Sequence, residues 1–348
     1  MSSHRAAISN KAGERLELTT RPTPTPGPDE LLIEVKALAL NPVDHYQRDH
    51  GYFVKHYPAI LGSDVSGIVL AAGSDVPSSA PKVGQRVAAF AIGFYKEGLP
   101  DYGGFQEKVL VPAVTAAEIP DRISFKEASL LPMAVETSWA GYVGIGLGRD
   151  TKIPKGKKQG LLVWGGASSM GSAALQIANI LGFTVYVAAS EKHHAYLKTL
   201  GASEVFDYKN DGVVDDIVKK AKEDGLQIKW AYDAVGYQLG STMEVLSKLK
   251  GSDEGVIASA VRLQRAFPNG APTFEGVEAK FVAPPESEEA RNEHFQYVFN
   301  HWLKQKLATG EFVPSPHLKA IEGGLDSINK ALDELKAGVS GTKLVLEF

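Results

Sequence analysis

The sequence predicts an α/β fold: a doubly wound parallel sheet in the middle of the chain, joined to a β-rich domain assembled from its two ends. Three observations lead there. Beyond about residue 159, short apolar runs alternate with helix-length segments, the pattern of parallel strands joined by crossover helices. The first 120 or so residues instead carry short strands separated by glycine and proline. The chain closes on a strand-like run at residues 343–348, which needs a sheet to join. The expected domains are therefore 1–124 with 288–348, β-rich and discontinuous, and 125–287, doubly wound. A single core seldom grows past about 250–300 residues, so two domains suit a chain of 348.

In order, strands are expected at residues 5–8, 14–18, 30–39, 65–70, 85–90 and 105–111. A proline-rich connector, residues 21–28, separates the second from the third. Helix-like stretches follow at 124–132 and 135–143. Strands at 161–164, 184–189, 204–208, 228–234 and 255–260 then alternate with helices at 172–181, 193–200, 213–223 and 239–249. A further strand is expected at 277–282, then helices at 293–308 and 325–337 before the closing strand. Residues 159–190 carry no charged side chain and are long enough to span a bilayer. Their content of Gly165, Gly166, Gly171, Gln176 and Asn179 points instead to strand, glycine turn, helix and buried strand.

Composition narrows the function classes. Lys and Arg total 37 against 41 Asp and Glu, a net charge of −4, which is no footprint for a nucleic-acid partner. There is no cysteine, so disulfides, thiolate nucleophiles and thiolate zinc sites are excluded. Redox chemistry in such a chain has to come from a bound cofactor. The opening residues lack a long apolar run, which gives a cytoplasmic protein with no membrane association as the expectation.

The strongest chemical motif is Gly166-Ala167-Ser168-Ser169-Met170-Gly171, placed between an apolar strand and a helix. Small residues there let backbone amides approach a pyrophosphate at the positive end of a helix. The motif keeps the first and third glycines of the dinucleotide fingerprint and has Ser168 in the middle. Where NAD-preferring proteins often carry an acidic residue on the ribose, this chain has Ser190. With Lys192 and Tyr208 it offers a hydroxyl, a cation and a phenol to an additional phosphate, so NADP(H) is the expected cofactor. Glu191 argues the other way if it points inward.

The chain resembles the medium-chain dehydrogenase/reductase superfamily, in its zinc-independent branch of quinone oxidoreductases and enoyl reductases. The resemblance spans nearly the whole chain. It rests on Asn41-Pro42-Val43-Asp44, residues 62–69, 83–87 and 103–107, the phosphate cradle, Asp233-Ala234-Val235-Gly236, and the closing residues 341–345. It implies a Rossmann domain, a GroES-like domain, and hydride transfer to an activated acceptor, an α,β-unsaturated carbonyl or a quinone. At the positions where zinc-dependent members hold the metal, this chain has Asn41, Ser63 and Met133, so no metal is expected. His45, His50 and His56 lie in a region that reads as loop, at spacings unsuited to one helix face.

The resemblance puts Asn41 and Asp44 beside the nicotinamide and implicates a tyrosine of a G-x-Y loop as proton donor. Here Tyr52 is offset by one residue from that pattern, and Tyr46 is the alternative. Thr137, Ser259 and Lys343 are further candidates for cofactor contact. The expected partners are a small-molecule substrate and a second copy of the chain, paired through the strand at 277–282. Two other readings stand beside the first: a zinc-free dehydrogenase of another small carbonyl, and an NADPH-binding structural or sensing protein without turnover.

Overall fold

The structure, a computed structural model, describes residues 2–154 and 156–348. Its strands, in chain order, are β1 Ser3–Ser9, β2 Glu17–Pro22, β3 Glu30–Ala39, β4 Ala59–Ile60, β5 Asp64–Ala72, β6 Arg86–Phe90, β7 Lys108–Pro112, β8 Ala116–Glu118, β9 Gln159–Trp164, β10 Thr184–Ala188, β11 Glu204–Phe206, β12 Gln227–Asp233, β13 Gly255–Ser259, β14 Val277–Phe281, β15 His317–Ile321 and β16 Thr342–Glu347. The α-helices are α1 Pro42–His50, α2 Phe125–Ala128, α3 Pro132–Gly144, α4 Ser169–Ile180, α5 His194–Thr199, α6 Val213–Asp224, α7 Leu239–Leu249, α8 Leu263–Ala266, α9 Glu288–Phe295, α10 Lys304–Thr309 and α11 Ile328–Ala337. The chain divides into two compact units, Met1–Met133 with Glu288–Phe348, and Ala134–Ser287.

The first unit carries a sheet in the order β15-β16-β3-β5-β6-β8, with β7 also paired to β3, and a smaller sheet β2-β1-β4. The closing strand does find its sheet: β16 lies antiparallel to β3, Val345 opposite Ala39. The core is aliphatic, with Ile33, Val65, Val87, Val109, Leu332 and Leu344 in one buried cluster. Residues 125–133, expected to open the second domain, belong to the first unit. Ser66 Oγ donates to Phe125 O at 2.6 Å. Leu130 packs with Ala37, Ala39 and Val345.

Two segments depart from expectation. Residues 42–50 form a helix, not a loop. Their sequence has no apolar period, so the helix rests on its ends: Pro42 at the first position, Asp44 accepting from Asn41 N at 2.7 Å, and left-handed Gly51 (φ 65°) closing it. The single helix expected at 293–308 is three pieces, α9, a π-helical run Gln296–Leu303, and α10. In the wide run, buried Asn300 donates through Nδ2 to Ala113 O (3.1 Å) and Ala116 O (2.8 Å).

The second unit is a six-stranded sheet in the order β11-β10-β9-β12-β13-β14, every neighbouring pair parallel. The reversal of direction falls at β9, with β10 on one side and β12 on the other, which opens a crevice at the strand ends. Leu161, Leu162, Val163 and Trp164 are all buried, as a strand covered on both faces requires. The charge-free stretch is thus β9, α4 and β10. Among the described residues no helix is long and apolar enough to cross a membrane.

Candidate functional site

In the second unit the chain leaves β9 through a turn that binds its own backbone tightly. Gly165 takes φ 80°, and the amides of Gly165 and Gly166 both donate to Ala188 O, at 2.9 and 3.3 Å. At Gly171 a Cβ would stand 2.2 Å from Gly165 O, so only glycine lets α4 start this close to the strand end. Ser168 does not present its hydroxyl outward. It caps α4, accepting from Gly171 N (3.0 Å) and donating to Gly165 O (2.9 Å). Ser169 and Met170 occupy the first two helical positions and are half-buried, where N–H groups lack intrahelical partners. The cradle fits a pyrophosphate by backbone donors and helix polarity.

Beside it, the ends of β10 and β11 converge. Ser190 Oγ donates to Tyr208 OH at 3.3 Å, so two of the three residues expected at the extra phosphate are together. Lys192 is exposed in the first turn after β10. Glu191 lines a surface cavity with His194, Asp207, Asn210 and Asp216.

Of the other expected contacts in this unit, Ser259 closes β13. It is 1% exposed, and its hydroxyl donates to Val261 O at 2.8 Å, stabilising the turn after β13. Thr137 is half-buried on α3, its carbonyl accepting from Tyr232 OH at 2.9 Å. Asp233, at the end of β12, is a residue whose chemistry the sequence did not single out. Its Oδ1 accepts from Gly236 N (2.7 Å) and Val235 N (3.1 Å), its buried Oδ2 has no partner, and burial raises its carboxyl above the ordinary value.

In the first unit, Asn41, Asp44 and Lys343 are brought together, along with Asp64, which opens β5. Asn41 Nδ2 donates to Asp64 Oδ2 at 2.9 Å and Lys343 Nζ donates to the same oxygen. Met133 N donates to Asp64 Oδ1 at 2.7 Å. Asp44 is 0% and Lys343 2% exposed, and each side chain is directed into the unit's interior network. The reason is charge pairing: an ammonium inside a protein needs a carboxylate, and Asp64 supplies it. Burial pushes the Asp44 carboxyl up to about 7, against the pull of the Asn41 amide.

The two tyrosines differ sharply. Tyr46 is half-buried on α1, its ring 4.1 Å from that of His45 and 6.4 Å from that of His50. Tyr52 is 53% exposed just past the helix, beside Phe53 at 4.2 Å between ring centroids. Phe53 holds φ 59°, a left-handed conformation unfavourable for an aromatic residue, and continues to Phe94 at 6.0 Å.

The donor set at the expected metal positions does not suit zinc. Asn41 is engaged with Asp64, Ser63 has one weak oxygen, and Met133 contributes its backbone N–H to Asp64. Among the described residues no three His, Asp or Glu side chains are arranged to hold a metal ion.

Comparison with known proteins decides the family. Residues 27–121 match the model of the alcohol dehydrogenase GroES-like domain, and residues 169–251 that named zinc-binding dehydrogenase. The trans-enoyl reductase tndF of Aspergillus flavipes is 44% identical over 344 residues, covering 99% of this chain and 98% of its own. The chain belongs to the medium-chain dehydrogenase/reductase superfamily, in its enoyl reductase branch. The trans-enoyl reductase tazE of Aspergillus terreus is 43% identical over 83% of this chain and 94% of its own. Among solved structures, the quinone oxidoreductase of Coxiella burnetii shares the fold, with TM-score 0.71, 24% identity and full coverage of both chains. The CurK enoyl reductase does so with TM-score 0.73 and 18% identity over 99% of each. Membership makes this a GroES-like domain joined to a Rossmann domain, an oxidoreductase with a nicotinamide cofactor.

Proposed function

We propose that this superfamily member is an NADPH-dependent, zinc-independent reductase of activated carbon–carbon double bonds, enoyl esters or thioesters above all. The observation that carries the reading is the 44% identity to a trans-enoyl reductase over 99% of the chain. A donor set unsuited to zinc at Asn41, Ser63 and Met133 supports an acceptor that needs no Lewis acid. Reduced nicotinamide supplies a hydride to the β-carbon, and a proton completes the bond at the α-carbon.

The chain's own residues bind and steer. Backbone amides at Ser169 and Met170 and the polarity of α4 hold the pyrophosphate. Ser190, Lys192 and Tyr208 take the additional phosphate of NADPH. Negative charge grows on the substrate's carbonyl oxygen as the β-carbon is reduced, and a donor placed there is worth roughly 3 kcal/mol of barrier. Tyr46 is the better placed of the two tyrosines for that donor and for the α-proton. It sits half-buried on a helix capped at both ends, whereas Tyr52 stands 53% exposed on a loop.

The test is oxidation of NADPH, followed by absorbance, with enoyl thioesters, enones, quinones and simple ketones in parallel. Turnover on the enoyl compounds with Tyr46→Phe slowed more than Tyr52→Phe supports the proposal. Turnover on ketones alone, or binding of NADPH without turnover on any acceptor, refutes it.

A further inference from the structure

Two aspartates are enclosed in the first unit, and their surroundings are unequal. Asp44 is 0% and Asp64 1% exposed. Asp64 accepts from three donors: Asn41 Nδ2 at 2.9 Å, Met133 N at 2.7 Å and the Lys343 ammonium. Three donors, one of them a cation, suit a carboxylate that carries its charge. Asp44 accepts from Asn41 N alone, at 2.7 Å on Oδ2, and its Oδ1 is buried without a partner.

The cations nearby are engaged elsewhere. Lys343 bonds to Asp64 and, at 3.2 Å, to Leu130 O. Arg48 on the same helix pairs with Asp49 and with Asp333 of α11, and Lys336 of α11 pairs with Asp49. His45, also on α1, is pushed toward its neutral form by burial. Two enclosed carboxyls thus share one ammonium, which touches only one of them.

We infer that Asp44 is held as the neutral carboxylic acid and is a positioning residue, seating the first turn of α1, and with it Tyr46, by a proton instead of a charge. The acid form leaves Oδ2 free to accept from Asn41 N and so keeps the capping contact. Ionisation would set a second negative charge beside Asp64 where water does not reach, a state the fold relieves by opening the start of α1. The direction of its titration agrees: burial, assisted by the charge of Asp64, outweighs the Asn41 amide and Lys343 and carries the carboxyl from 3.8 to about 7. The sign follows. A carboxyl whose folded value lies above its unfolded one stabilises the fold fully below the unfolded value. That contribution is lost as pH rises through the folded value.

The experiment compares the full chain with its Asp44→Asn variant, whose side chain keeps an acceptor for Asn41 N without a titrating proton. Between about pH 5 and about pH 8 the melting temperature of the native chain should fall by several degrees relative to the variant. Parallel curves overturn the inference. A second measurement covers failure of that variant to fold. In chain labelled with 13C at the aspartate carboxyl and carrying Asp233→Asn, one aspartate resonance should still titrate near neutral pH. If every aspartate titrates in the ordinary acid range, the inference is wrong.

The third arm rests on the proposed reaction. With NADPH and crotonyl-N-acetylcysteamine, kcat of the native chain should drop severalfold above about pH 7, while the variant's profile stays level across that range. A native profile as level as the variant's would overturn the positioning role. Absence of any turnover with this pair would instead count against the enoyl reading, and the first two arms need none.

Discussion

The two units handle a polar task in opposite ways. In the second, the turn from β9 to α4 contains no charged side chain, and its devices are all neutral: glycine geometry, a serine cap and the amides of Ser169 and Met170. In the first, the start of α1 is fixed largely by enclosed side chains, Asn41, Asp44, Asp64 and Lys343, which bond to one another and to the Asn41 and Met133 amides. The backbone device leaves room for a ligand's charge. The side-chain device consumes its own charges internally and gives rigidity. An anion is best received by neutral donors, whereas an enclosed helix start can be held beside an internal ion pair.

The largest effect should come from breaking the enclosed ion pair. Lys343→Met leaves Asp64 inside without its cation, and breaking a buried pair costs about 3–5 kcal/mol, readable as a lower urea midpoint. Next is the neutral turn. Gly171→Val sets a side chain against Gly165 O, where the Cβ alone would stand at 2.2 Å, and should cost about 1–3 kcal/mol and abolish dinucleotide binding in calorimetry. If Gly171→Val binds NADPH as the native chain does, the turn is structural and the contrast between the units fails.

Smaller effects sharpen the contrast. On the proposed cofactor reading, Lys192→Ala should weaken NADPH by about 1.5–3 kcal/mol and leave NADH nearly untouched, because this exposed cation is assigned to the extra phosphate alone. Equal weakening of both dinucleotides would remove the basis for NADPH over NADH. Ser168→Ala removes the cap of α4 and should cost about 1 kcal/mol in unfolding experiments, with cofactor affinity reduced in step.

How much of this was legible in the sequence follows the same division. The glycine turn could be read because its chemistry is local: an apolar strand, small residues and a helix are contiguous between 159 and 180. The parallel sheet was legible for the same reason, strand by strand, since burial on both faces writes a continuous apolar run. The enclosed cluster was not, although each of its members was named or quoted. Asp64 reaches Asn41 through the pairing of β3 with β5, and Lys343 joins them because β16 returns to β3, and no periodicity records either pairing. Helix α1 was missed because its nine polar-rich residues show no apolar stripe, although its end signals are local: Pro42, the Asp44 contact to Asn41 N and left-handed Gly51. The π-helical run was invisible because no periodicity marks it, and its buried Asn300 finds its partners at Ala113 and Ala116, far away in sequence. Ser259 was placed correctly at a strand end, but its hydroxyl direction depends on the following turn.

The central claim is that hydride goes to the β-carbon of a conjugated double bond. It is tested most directly by incubating the protein with NADPH deuterated at the transferable position and an enoyl thioester, then locating the label by NMR. The account predicts a saturated thioester with deuterium at the β-carbon. Deuterium on the carbonyl carbon of an alcohol, or recovery of unlabelled starting thioester with the NADPH intact, would contradict it.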